Sequence, residues 1–290
     1  MDEKIDGVFR TRTLGIGARG IPDQYADGKA ARVWHKYIGD EQQRTGYYKD
    51  QLVSILKEHN CQHVLDVACG TGIDSVLLLE EGFKVTSVDA SDKMLKYALK
   101  KRWERRKEPA FDNWVIEEGN WLRLKEADIK VPGNGFDAII CMGNSFAHLP
   151  DFDGTQKSHR TAITNFYDLL RPGGILLIDH RNYDTIVKGH KAPMKNIYYQ
   201  SKSRVDCKTS VLMVDGSYHM VTLDYIVYED DNDNEGCKFR LSYYPHLLSK
   251  FDNLIDEIFG EGRQTVLADF KKLDEVDNPS YFIHICKKKE

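Results

Sequence analysis

The stretch Val64-Leu65-Asp66-Val67-Ala68-Cys69-Gly70-Thr71-Gly72, continued by an amphipathic run to Gly82, constrains this chain more than any other. It reads as a buried strand, a tight glycine turn and a helix. Val64, Leu65 and Val67 suit a central parallel strand, which is apolar on both faces. Gly70 and Gly72 allow a sharp bend and leave the backbone open to a ligand. The helix begins near Gly72-Ile73-Asp74, so its free N–H groups face that ligand. A second strand, Lys84 to Val88, ends on Asp89. An acidic residue there, roughly 20 residues after the glycines, is placed to accept hydrogen bonds from two ribose hydroxyls. Together these residues describe a nucleoside site at the top of a doubly wound sheet.

Three details choose the nucleoside. A dinucleotide fingerprint needs a third Gly three positions after the second, and Ser75 stands there. No Lys-Ser or Lys-Thr follows the glycines, so the phosphate loop GxxxxGK[ST] is absent. Asp66, at the mouth of the first strand, would repel a pyrophosphate and suits a ligand carrying positive charge. The sulfonium nucleoside S-adenosylmethionine fits all three. The pattern Asp66-x-Ala68-x-Gly70-x-Gly72 with Asp89 resembles the first two motifs of the class I methyltransferases. That resemblance implies an α/β fold: a Rossmann-like, mostly parallel sheet with a closing antiparallel strand.

At 290 residues the chain holds one large domain, or one domain with a sizeable insertion. Its net charge is −4, whereas a nucleic-acid footprint usually shows a basic face and a pI above ~9. The run Lys100-Lys101-Arg102, then Arg105-Arg106-Lys107, is the exception and reads as a solvated helix face. The 6 cysteines show no CxxC spacing. Cys61, Cys69, Cys141 and Cys286 lie in or beside apolar strands as small hydrophobes. We expect no metal, and nothing reads as a signal peptide or a membrane span. A reducing, cytoplasmic setting follows as an expectation.

Taken in order, residues 1–40 read as an N-terminal arm and lid, with turn chemistry around Tyr25 and a helix from about Lys29 to Ile38 carrying Trp34 and Tyr37. Tyr25 taken alone reads as an ordinary surface aromatic. Residues 41–195 form the nucleoside-binding domain. They open with a helix from about Glu41 to Glu58. After Asp89, Ser91-Asp92 caps a helix to about Lys107 with a core stripe of Met94, Leu95, Ala98 and Leu99. Trp114 to Glu117 is the third strand. Asn120-Trp121 follows at its carboxyl end, where ligands collect in open α/β sheets. Trp121 either covers an adenine face or seals the core edge.

Gly135 to Cys141 is the fourth strand, leading into Met142-Gly143-Asn144-Ser145-Phe146-Ala147-His148. Asn144 can donate and accept, so it can orient an amine; His148 by default is structural. A helix from about Gln156 to Leu170 stops at Arg171-Pro172-Gly173-Gly174, and Ile175 to Asp179 is the fifth strand. Residues 196–243 read as an inserted antiparallel sheet, with a hairpin turn at Asp215-Gly216. Residues 244–290 complete the main sheet, through a helix from Pro245 to about Phe259 and strands near Gln264 to Phe270 and Ser280 to Lys287.

Arg181 stands at the carboxyl end of a central strand, where a buried cation needs a partner. Its planar fork matches a carboxylate; an internal pair with Asp184 is the alternative. Tyr199, Tyr225 and Tyr243 of the insertion, with Tyr25, either pack the inserted sheet or surround a sulfonium. The Arg181 fork and the Asn144 amide point to a small substrate with a carboxylate and an amine.

The chain resembles the glycine N-methyltransferase family across nearly its whole length. The segments that carry this are Arg10-Thr11-Arg12, Leu14-Gly15, Pro22 to Gly28, Leu65 to Gly72, Val85 to Leu99, Gly143 to Pro150, Ile178 to Asp184, Asn196 to Tyr199, Met220 to Tyr225 and Phe239 to His246. The resemblance implies in-line methyl transfer from S-adenosylmethionine to glycine, giving sarcosine and S-adenosylhomocysteine. It implies a cofactor site of Tyr25, Trp34, Tyr37, Arg44, Ala68, Asp89, Asn120, Trp121, Met142 and His148, with Arg181 and Tyr225 at the methyl end. It places glycine between Asn144, Arg181 and the Gly143 carbonyl, with Tyr25, Tyr199, Tyr225 and Tyr243 nearby. It also implies a cytoplasmic homotetramer inhibited in some members by reduced folate. Phe9 and Arg19 depart from the mammalian arm, which sets cooperativity and folate inhibition apart from the core reaction. The competing expectations are a sarcosine or dimethylglycine N-methyltransferase and a folate-binding regulatory protein.

Overall fold

The computed structural model describes residues 24, 25, 28, 32, 44–193, 196–199, 204–228 and 236–290. Most of the N-terminal arm, including Trp34 and Tyr37, lies outside the described residues.

The nucleus is β1 (His63–Asp66), the glycine turn and α2 (Ile73–Glu80), preceded by α1 (Gly46–Glu58). Next come β2 (Lys84–Asp89), α3 (Asp92–Glu104), the short α4 (Pro109–Asp112), β3 (Val115–Glu118) and β4 (Phe136–Cys141). The domain continues through α5 (Lys157–Leu169), β5 (Leu170–Arg181) and α6 (Tyr183–Gly189). Strands β6 (Val205–Val214), β7 (Ser217–Val227) and β8 (Cys237–Tyr243) form a separate antiparallel sheet. Then α7 (Leu248–Phe259), β9 (Gln264–Ala268), β10 (Lys271–Lys272) and β11 (Tyr281–Lys287) complete the chain.

The main sheet runs β10-β9-β11-β5-β4-β1-β2-β3. Strands β3, β2, β1, β4 and β5 are parallel, and β11 closes antiparallel on β5. This is the expected mostly parallel sheet. Side chains of α1 and α2 fill one face, with Leu52, Leu56, Val76 and Leu78 at its core. Helices α5 and α7 fill the other with Ile163, Phe166, Phe251 and Leu254. Because β1 and β4 are covered on both faces, Val64, Leu65, Ile139 and Ile140 are fully buried.

The structure corrects several boundaries. Helix α1 starts at Gly46, not near Glu41, because Thr45 caps it: its hydroxyl accepts from Tyr48 N at 3.0 Å. Helix α3 ends at Glu104, and Pro109 opens a short turn of its own rather than continuing it. Leu99 is 48% exposed, so the buried stripe of α3 is Met94, Leu95 and Ala98. The glycines after α5 do stop the helix, but the chain passes straight into β5, where the register with β4 shifts beside Phe136. Gly174 sits in that irregularity, its α-carbon facing the Phe136 and Asp137 carbonyls too closely for a side chain. Helix α7 begins at Leu248 rather than Pro245, its Leu248 N–H donating to Asp184 Oδ2 at 2.8 Å.

Gly72 has φ +86°, and a Cβ there would lie 2.6 Å from the buried Trp114 ring and 3.1 Å from Ala98 Cβ. Both backbone strain and overpacking oppose any side chain. Gly72→Ala is therefore expected to cost roughly 2–4 kcal/mol, measured by urea unfolding; a loss below ~1 kcal/mol would show that α3 and Trp114 can move aside.

Four histidines, His159, His180, His246 and His284, meet around Phe146 and Phe251 between the sheet and α7. All are at most 1% exposed. Burial lowers the pKa of each, that of His180 to about 4. Below the ordinary value of ~6.5 the unfolded chain takes up protons that the fold refuses, so stability falls with falling pH. Burial raises Asp66 and Asp179 to about 7 and Asp252 to about 6, which acts in the opposite sense but through fewer groups. The melting temperature is expected to drop by roughly 5–10 °C between pH 7 and pH 5. A flat or rising profile would place protons in the histidine cluster of the folded chain.

Candidate active site

A cavity of about 600 Å³ opens at the carboxyl ends of β1, β2, β4 and β5. This size suits a small-molecule site. Gly70 and Gly72, at φ +53° and +86°, bend the chain over its floor. Asp89 ends β2 and holds the turn: Oδ2 accepts from Gly70 N at 2.8 Å and Oδ1 from Ser91 N at 2.9 Å. A carboxylate at this strand end is also an acceptor of the kind a ribose diol requires.

Asp66 does not face the cavity. It is 3% exposed, and its carboxylate accepts from the Ser75 hydroxyl at 2.7 Å and from Ala68 N at 3.3 Å. The residue that breaks the dinucleotide pattern, Ser75, thus anchors Asp66 and joins Ser87 at 2.8 Å. Asp66 braces the turn from behind, and its charge is not offered to a ligand.

Of the residues expected at the site, Tyr25, Arg44, Ala68, Asp89, Asn120, Trp121, Met142, Gly143, Asn144, His148, Arg181, Tyr199 and Tyr243 line this one cavity. Tyr225 is buried in the inserted sheet, its ring stacked on Phe239 at 4.9 Å, and acts on Arg181 through space. Asn120 caps the following turn by accepting from Leu122 N. Trp121 Nε1 donates to the Val67 carbonyl at 2.6 Å while its ring stacks on Phe146. Trp121 therefore both seals the core edge and lines the cavity.

His148 is held neutral, burial lowering its pKa to about 4. Gln24 fixes its tautomer. The Gln24 amide is oriented by Ser242, whose N–H donates to Oε1 at 2.7 Å and whose carbonyl accepts from Nε2 at 2.8 Å. Gln24 Nε2 then donates to His148 Nδ1 at 3.1 Å, leaving the ring proton on Nε2, which faces the Tyr25 hydroxyl at 3.4 Å. Held neutral and hydrogen-bonded in this way, His148 has a fixed ring orientation at the cavity wall.

Of the arginines that line the cavity, Arg44 and Arg181 meet it in different ways. Arg44 pairs with Asp74, Nη2 to Oδ2 at 2.8 Å, yet Arg44 Nε and Asp74 Oδ1 are buried with no hydrogen-bond partner among the described residues. A spare donor beside a spare acceptor matches the carboxylate and ammonium of an amino-acid tail. Asp74 carried no sequence signal beyond its place in the first turn of α2.

Arg181 is 8% exposed and forms no salt bridge among the described residues, and its buried Nε has no partner. The Asp184 alternative is excluded, because Asp184 caps α7. Burial opposes the Arg181 charge, but Tyr281, Tyr225, Tyr199 and Tyr243 favour it, and the pKa stands well above the ordinary arginine value. Tyr281 carries the guanidinium 5.0 Å from its ring centre and was not foreseen. It stands opposite Arg181 in the antiparallel β5–β11 pairing, so only the register could have found it.

The fold and site define a methyltransferase. The family model described as Methyltransferase domain matches residues 58–250, and the chain belongs to that family. A solved S-adenosylmethionine-dependent methyltransferase from Clostridium acetobutylicum ATCC 824 shares the fold: TM-score 0.61, 17% identity, covering 91% of this chain and 99% of that one. Within the class, the chain belongs to the glycine N-methyltransferase family. It is 59% identical to the glycine N-methyltransferase of Rattus norvegicus, covering 98% of this chain and 99% of the relative. It is 32% identical to a glycine/sarcosine N-methyltransferase of Parasynechococcus marenigrum (strain WH8102), covering 88% and 81%.

Proposed function

We propose that this chain transfers a methyl group from S-adenosylmethionine to glycine, giving sarcosine and S-adenosylhomocysteine. The observation that carries the reading is the buried Arg181 guanidinium, which lines the cavity without a carboxylate partner among the described residues. A desolvated cation of this kind favours an anionic ligand strongly. The nearby polar groups are the Gly143 turn and the Asn144 amide, which complement an amine.

S-adenosylmethionine supplies the electrophilic methyl group on a sulfonium, already a good leaving group. Asp89 holds the ribose diol, and Arg44 with Asp74 holds the amino-acid tail. Arg181 grips the glycine carboxylate. Glycine reacts as the free amine, its ammonium proton lost to solvent before attack. The Gly143 carbonyl, on the turn that Asn144 holds, directs its lone pair at the methyl carbon so that the N–C bond forms as the C–S bond breaks. No side chain is needed as a general acid. Rate enhancement comes from orientation and from fixed oxygen dipoles. Tyr25, Tyr199 and Tyr243 present ring faces and hydroxyls around the positive charge.

The proposal extends to a homotetramer with a reduced folate as inhibitor, both readings taken from the family resemblance, and to a cytoplasmic setting, read from the cysteine usage. Size-exclusion chromatography with light scattering, and turnover titrated with a reduced folate, test these separately from the reaction. The reaction itself is tested by transfer from labelled S-adenosylmethionine to glycine, sarcosine, dimethylglycine, alanine and a guanidino acid. Fast transfer to glycine is expected. Preference for sarcosine or dimethylglycine would keep the cofactor and overturn the assignment of Asn144 and the tyrosines.

A further inference from the structure

Behind the amine-facing turn lies a carboxylate that the reaction does not touch. Asp179 is fully buried on β5, two residues before Arg181, and does not line the cavity. Its Oδ1 and Oδ2 both accept from the Asn144 backbone N–H, at 2.9 and 3.1 Å. Tyr198 donates to Oδ2 at 2.5 Å. Asn144 returns the link: its side-chain Oδ1 accepts from the Arg181 backbone N–H at 3.0 Å and from the Tyr183 hydroxyl at 3.1 Å, and its amide Nδ2 lies 3.0 Å from that same hydroxyl. Positions 179 and 181 of one strand therefore clamp both the backbone and the side chain of Asn144.

The clamp is needed because the turn is strained. Asn144 has φ 64° and ψ 21°, and Gly143 has φ 81°. A non-glycine residue in the left-handed region costs on the order of 1 kcal/mol and persists only where its surroundings fix it. The peptide joining Gly143 to Asn144 is planar and trans, so its N–H and C=O point in opposite directions. Holding the Asn144 N–H on Asp179 turns the Gly143 carbonyl away from the buried carboxylate, toward the cavity that Gly143 lines.

We infer that Asp179, braced by Tyr198, is the positioning residue that aims the Gly143 carbonyl at the substrate amine. This rests on the glycine N-methyltransferase reading above. Asp179 acts as a carboxylate, since all its hydrogen bonds come from donors. Burial pushes its pKa up to about 7, against the Tyr198 hydroxyl, the Asn144 N–H and the Arg181 charge that favour ionisation. The other ionisable groups that act on it are Asp74 at the start of α2, Tyr48 on α1, Cys141 at the end of β4, Tyr183 on α6 and Tyr281 on β11. Protonating Asp179 removes an acceptor and loosens the turn.

The test compares Asp179→Asn and Tyr198→Phe with the unaltered chain in glycine methylation from pH 5.5 to 9. S-adenosylmethionine binding is measured by calorimetry on the same samples. Asp179→Asn is expected to lower kcat/KM for glycine ~10- to 100-fold at pH 8, with S-adenosylmethionine still bound. The deficit should narrow below pH 6, where Asp179 itself takes a proton. Tyr198→Phe removes a bond that favours the charged form, so the acid limb of the profile should move to higher pH. Equal deficits at every pH, or an unmoved limb in Tyr198→Phe, would reduce Asp179 to a structural carboxylate and overturn the inference. Wild-type kcat/KM in Asp179→Asn would also overturn it. A failure of the unaltered chain to methylate glycine would overturn the function reading instead.

Discussion

Arg181→Lys is expected to raise the KM for glycine roughly 10- to 150-fold, because lysine keeps the charge but loses the two-pronged fork. Arg181→Met, which removes the charge at similar length, should raise it by ~1,000-fold or more. S-adenosylmethionine binding should change little in either variant. The structure adds a second readout. Removing one member of a buried ion pair leaves a stranded charge and usually destabilises a protein by about 3–5 kcal/mol. Arg181 has no such pair among the described residues, and its backbone N–H and carbonyl bonds to Asn144 and His180 survive the substitution. Arg181→Met should therefore keep or raise the melting temperature while losing glycine. A lower melting temperature with parallel loss of both ligands would mean that Arg181 is a structural cation.

Arg181 also marks what is legible in a single sequence. Its position at a strand end and its chemistry were visible, as were the glycine turn, Asp89 and the order of strands and helices, because each is a local pattern. Partners across the sheet were not. Tyr281 reaches Arg181 through the register of β11 on β5, and Asp179 reaches Asn144 across the β4–β5 pair. Both links join residues dozens of positions apart, and no periodicity encodes them. Asp66 was misread for a related reason: its place at the strand mouth suggested an open charge, but Ser75 and Ala68 turn it inward. Leu99 fits the helical spacing of Met94 and Leu95, yet α3 meets the glycine turn at Ala98, which leaves Leu99 at the surface. Helix faces are readable to within a residue or two, and packing decides the rest.

Asp89→Asn is the second substitution expected to have a large effect, and its logic lies in the two backbone donors that the side chain already holds. The Asp89 carboxylate accepts from Gly70 N through Oδ2 and from Ser91 N through Oδ1. Asparagine must turn its NH2 group toward one of those N–H donors, so either the glycine turn or the segment entering α3 loses its partner. The remaining oxygen cannot serve both ribose hydroxyls. Loss of two charge-assisted bonds, at about 1.5–3 kcal/mol each, predicts a Kd for S-adenosylmethionine weaker by at least ~100-fold. The check is a double-mutant cycle on the ligand side. Adenosine and 2′,3′-dideoxyadenosine are titrated into the unaltered chain and into Asp89→Asn. The unaltered chain should distinguish the two nucleosides strongly, and the variant hardly at all. If the variant keeps the full discrimination, the ribose is held elsewhere, and Asp89 serves only to tie the glycine turn to β2.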